Sequence, residues 1–68
     1  MEAEKMVHMA NQIALNFASY PHDDAVASVA DHLQRFWERR MRQQIIQYVA
    51  QGGKGLHALA LEAVKRLK

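Results

Sequence analysis

No cysteine occurs in the 68 residues, so the chain can form no disulfide and no zinc–thiolate or iron–sulfur site of its own. That usage fits a reducing compartment, and a cytoplasmic location is expected. Threonine is also absent, and Ser19 and Ser28 are the only serines. Neither lies in a Gly-x-Ser-x-Gly turn, so nothing marks a hydroxyl nucleophile. No apolar run approaches the roughly 18 residues that a membrane helix requires. Met1 to Lys5 are mixed in charge and lead into no apolar segment, so no secretory leader is expected. Proline appears once and glycine three times, which leaves little to interrupt helices.

Half the residues are hydrophobic, which is enough for a packed core. A chain this short still buries only about 60% of the surface its unfolded form exposes. With no disulfide, helix packing or a partner must supply the stability. Net charge is only +2 with histidines neutral, so the chain as a whole is not strongly basic. The basicity is local, in Arg35, Arg39, Arg40 and Arg42, and again in Lys65, Arg66 and Lys68.

Apolar residues at Met6, Met9, Ile13, Phe17 and Tyr20 follow helical spacing and predict a helix over Glu2 to Ser19. Pro21 ends it, because the residue before a proline is pushed out of the α region. Asp23 reads as the next N-cap, with Asp24 in the first turn. Val26, Val29, Leu33, Trp37, Met41, Ile45 and Tyr48 continue one stripe. From Asp24 to Gln51 the pattern allows one helix of about 28 residues, near 42 Å long. It equally allows a bend near Glu38 or Arg39, giving two helices. Gly52-Gly53-Lys54-Gly55 is a stop signal. Leu56 to Leu67 reads as the last helix, with Leu56, Leu59, Ala60, Ala63, Val64 and Leu67 on one side. The expectation is a single all-α domain over 1–68, a small bundle of three or four helices with short loops.

A search for chemistry yields little. His8, His22, His32 and His57 fall in separate elements, without metal-ligand spacing, and read as surface or capping residues. The glycine run lacks the spacing of a phosphate loop and follows a helix rather than a strand. No catalytic, cofactor-binding or metal-binding residue is assigned. One cluster stands out. His32 to Arg42 holds the only tryptophan, one of two phenylalanines and four arginines. Leu33, Trp37 and Met41 fall on the core stripe. Arg35, Arg39 and Arg42, at i, i+4 and i+7, define a second ridge. That ridge reads as a solvated face, a nucleic-acid footprint or a protein contact. Low net charge and the intervening Glu38 weigh against nucleic acid. Tryptophan, arginine and methionine are enriched in protein interfaces, which favours a partner.

Three motifs carry a resemblance. Met9-Ala10-Asn11-Gln12-Ile13, Phe36-Trp37-Glu38-Arg39-Arg40-Met41-Arg42 and Gly52-Gly53-Lys54-Gly55-Leu56 resemble, in order and separation, the delta subunit of soluble NAD-dependent formate dehydrogenases. The resemblance covers nearly the whole chain. It departs at Arg39, where the family pattern has proline. Proline favours the first position of a helix, so the pattern suggests a break after Trp37. The resemblance implies a non-catalytic accessory subunit that supports assembly or stability of the complex, or maturation of its catalytic subunit. Its partners would be larger formate dehydrogenase subunits, the catalytic alpha subunit first. The molybdenum or tungsten pterin, iron–sulfur clusters, FMN and NAD would sit in those partners, with none bound by this chain. The partner-facing residues expected are Phe36, Trp37 and Met41 as apolar anchors and Arg39, Arg40 and Arg42 as charges. Asn11 and Gln12 would add amides. The alternative is a small helical nucleic-acid binder using the Arg35, Arg39 and Arg42 ridge.

Overall fold

A computed structural model describes residues 2–67. Among them are four helices: α1 (Ala3–Asn16), α2 (His22–Phe36), α3 (Arg39–Ala50) and α4 (Ala58–Lys65). The all-α expectation holds, with the four-helix option realised. The shortest helix is the centre of the bundle, since α4 packs against each of the other three and most extensively against α2. It buries Leu59, Ala60, Ala63 and Val64. Alanines buried to 0% exposure on α1 (Ala10, Ala14), α2 (Ala25) and α4 (Ala60, Ala63) keep these helices slim enough to approach closely. Met6, Val26, Val29, Leu33 and Ile45 fill the space between, and no polar side chain is buried among the described residues. The radius of gyration is 10.6 Å, against about 10.9 Å expected for a well-packed chain of this length.

Helix ends differ from the sequence reading, each for a local reason. α1 stops at Asn16 rather than near Ser19. Phe17, Ala18 and Tyr20 donate instead to Ala14, Leu15 and Phe17, which winds the chain into tight turns before Pro21. Phe17 meets Tyr20 edge-on, with ring centroids 5.4 Å apart. Asp23 is not the N-cap of α2. Pro21 takes that place, and its carbonyl accepts the first helical bond from Ala25 at 2.8 Å. Asp23 and Asp24 both lie in the first turn, where carboxylates suit the positive end of the helix. α4 begins at Ala58 rather than Leu56, capped by His57, whose Nδ1 accepts from the Leu59 N–H at 3.1 Å.

The long middle pattern is two helices, not one. α2 ends at Phe36, and Trp37 and Glu38 are extended, with φ/ψ of −89/133 and −68/160. α3 starts at Arg39, and its first backbone bond runs from the Arg42 N–H to the Glu38 carbonyl at 3.1 Å. The break thus occurs where the family pattern places proline, although this chain has none there. Arg39 donates no intrahelical bond at that position, and Glu38 is already in the conformation a following proline demands. Arg39→Pro is therefore expected to raise stability by about 0.4–1 kcal/mol, by restricting the unfolded chain. A thermal melt checks this, and a lowered midpoint would contradict the placement of the helix start.

Candidate functional site

The conspicuous cluster forms an elbow between α2 and α3. Phe36 is the last residue of α2, and Trp37 the first of the extended pair. Trp37 turns inward and is 5% exposed, while Phe36 turns outward and is 72% exposed. Leu33 is fully buried and Met41 partly so, which keeps the predicted apolar ridge on the core. Phe36 is not bare on every side. Its ring lies 4.7 Å from the His32 ring, tilted by 42°.

The arginines do not form one ridge. The extended pair Trp37–Glu38 interrupts the helix between Arg35 and Arg39, so the i, i+4, i+7 geometry is lost. Arg35 Nε donates to Asp31 Oδ1 at 3.0 Å, an exposed pair one turn away on α2. The Arg42 guanidinium folds back over the elbow and donates to the carbonyls of Trp37 and Gln34. Those carbonyls belong to the end of α2, where a cation is favoured. Arg42 is thus a strap across the bend. Arg39 and Arg40 are exposed and enter no ion pair among the described residues. The nucleic-acid reading loses its geometric basis with the ridge.

The first and third motifs meet elsewhere. Asn11, expected to face a partner, is directed inward. Its Nδ2 donates to the Gly55 carbonyl at 2.9 Å, and its Oδ1 accepts from the His57 N–H at 2.8 Å. One amide thereby clamps the glycine turn to α1 from both sides. The Tyr48 hydroxyl donates to the Lys54 carbonyl and holds the same turn from α3. The turn also closes α3. Gly52 and Gly53 donate to the carbonyls of Val49 and Tyr48, each at 3.0 Å, which is the bonding of a Schellman end. Gln12 is exposed. No sequence signal separates Asn11 from Gln12, because the clamp depends on a turn more than forty residues away. Asn11→Ala is expected to cost about 1–3 kcal/mol, since it leaves an acceptor and a donor without partners. Urea denaturation measures it, and a loss below about 0.5 kcal/mol would contradict the clamp.

The remaining histidine contacts are peripheral. His22 Nε2 lies 2.7 Å from Glu62 Oε2, joining the start of α2 to α4 at a half-exposed site of small energetic weight. Among the described residues no group of three or more histidines and acids is placed to hold a metal ion. Nor is any helix among them long and apolar enough to cross a membrane.

A class follows from these features: a small helical chain with a fastened elbow that presents an aromatic ring and two unpaired arginines. Residues 5–64 match the family model of the NADH-dependent formate dehydrogenase delta subunit, FdsD. The match spans nearly the whole chain, and the chain belongs to this family. Its partners are accordingly other subunits of a formate dehydrogenase complex. Among curated proteins, and among solved structures, none matches the chain.

Proposed function

We propose that this delta subunit is a non-catalytic, single-domain accessory chain that docks on a larger formate dehydrogenase subunit, the catalytic alpha subunit first. Its role is to support assembly or stability of the complex, or maturation of the catalytic subunit, and its location is the cytoplasm. The observation that carries this reading is the family match over residues 5–64, which leaves little of the chain outside the delta-subunit pattern. The residues in hand do not fit one redox group of such an enzyme, the iron–sulfur cluster. Iron–sulfur clusters need thiolates, and the sequence has no cysteine. In this reading the iron–sulfur clusters belong to the larger subunits, and the pterin metal, FMN and NAD are proposed to sit there with them. The middle motif supplies the contact, and among its members Phe36, Glu38, Arg39 and Arg40 are exposed, with no ion pair at the three charged ones among the described residues.

Co-purification and deletion test the proposal together. Tagged chain is expected to recover larger formate dehydrogenase subunits from its native host, identified by mass. Deletion of the chain is expected to lower formate-dependent NADH formation. Recovery of no larger subunit, with formate oxidation intact after deletion, would overturn it.

A further inference from the structure

The charges at the start of α3 break a rule that the first two helices obey. A helix start carries roughly half a positive charge, so acids are favoured there and cations are not. α1 has Glu4 in its first turn, and α2 has Asp23 and Asp24. α3 has no acid in its first turn and, behind Glu38 at the N-cap, opens on Arg39 and Arg40. Neither arginine is offset by an ion pair among the described residues. The neighbouring arginines behave differently, since Arg35 is held by Asp31 and Arg42 by backbone carbonyls. Local rules are broken chiefly where function asks for it. Beside this charge stands Phe36, 72% exposed and braced by His32. From Phe36 to Arg40 the chain spans at most about 14 Å, well inside a standard interface footprint of roughly 800 Å² per partner.

We infer that Phe36, Arg39 and Arg40 form the docking face for an acidic segment of a larger formate dehydrogenase subunit, with the Phe36 ring seated in an apolar recess of that segment. The inference rests on the accessory-subunit reading above and names the chemistry of its partner. Carboxylates arriving here would neutralise both arginines, and each arginine can hold one in a two-pronged bond. Glu38 lies between the aromatic and the arginines and offsets part of the charge, but the face stays net positive. Aromatic and arginine side chains are also the types that dominate binding energy at interfaces. Trp37 and Arg42 serve the same surface indirectly, by fixing the bend that presents it.

The test is charge reversal in the full chain. Arg39→Glu with Arg40→Glu places acids at a helix start, so the melting temperature of the purified chain is expected to hold or rise. Recovery of the larger subunits by the tagged variant, identified by mass, is expected to fall about tenfold or more. Wild-type recovery should weaken as NaCl rises, while the residual recovery of the variant should not. Phe36→Ala is expected to lower recovery at every salt concentration without moving the melting temperature. If wild-type chain recovers the subunits and the double reversal recovers them equally at every salt, the docking face lies elsewhere and the accessory reading stands. If wild-type chain recovers none, the accessory reading fails and this inference with it. If the reversal abolishes retention on DNA but leaves subunit recovery unchanged, the face is a nucleic-acid contact and the inference is overturned.

Discussion

Trp37→Ala is expected to unfold much of the population. Removing a buried large aromatic costs about 3–5 kcal/mol. A chain of this length holds on the order of 3–10 kcal/mol in total, at roughly 0.05–0.15 kcal/mol per residue. Trp37 is 5% exposed and sits where α2 gives way to α3, so the change opens a void at the elbow. It also slackens the backbone whose carbonyl Arg42 holds. The preceding residue gives the contrast. Phe36→Ala removes a ring that is 72% exposed, and surface changes of that kind shift stability by about 0.5 kcal/mol or less. Urea denaturation of the two variants is expected to separate these neighbours widely. Equal losses would mean that the elbow does not turn one ring in and the other out.

The second large effect is at Gly53. Its φ is +62°, a conformation that L side chains rarely adopt. A Cβ added there would lie 2.5 Å from Leu61 Cδ2 and 3.6 Å from the Val49 Cα. The left-handed backbone costs about 1–2 kcal/mol, and overpacking adds about 1–3 kcal/mol. Gly53→Ala is therefore expected to destabilise by about 2–5 kcal/mol. Gly52→Ala meets nothing within 4 Å and bears only the backbone strain at φ +120°. The backbone strain differs between the two, since φ +62° lies within the left-handed region open to L residues and φ +120° lies outside it, so the overpacking share is read from Leu61. Combining Gly53→Ala with Leu61→Ala should recover part of the loss, because the clash is with a side-chain end. A double variant that is simply additive would place the cost in the backbone alone.

Most of the helices were legible, because apolar stripes at spacings of three and four record which side each helix buries. The elbow was not. Leu33, Trp37 and Met41 keep helical spacing across a break of two extended residues, so the stripe alone cannot show it. Only the family pattern, with proline in place of Arg39, pointed to the bend. The division of the arginines was hidden for the same reason, since Arg42 finds its carbonyls only once the chain has turned. The clamping role of Asn11 was hidden because the groups it bonds, Gly55 and His57, are distant in sequence. The glycine stop was legible in full, as positive φ at Gly52, Gly53 and Gly55 is what glycine after a helix implies. Asp23 shows the limit of capping statistics, because Pro21 supplied the first carbonyl instead.

The central claim is that the outer face of the elbow meets a larger subunit while its inner face holds the chain together. A photo-crosslinking residue at position 36, introduced into the full chain within the assembled complex, tests this most directly. The expected result is a crosslink to a larger formate dehydrogenase subunit, lost when the Arg39→Glu and Arg40→Glu changes are added. The same probe at position 27, an exposed residue of α2 outside the expected contact, serves as the control and is expected to show no such dependence. Crosslinks from position 36 only within the chain or to a second copy of it, in complex that contains the larger subunits, would contradict the account.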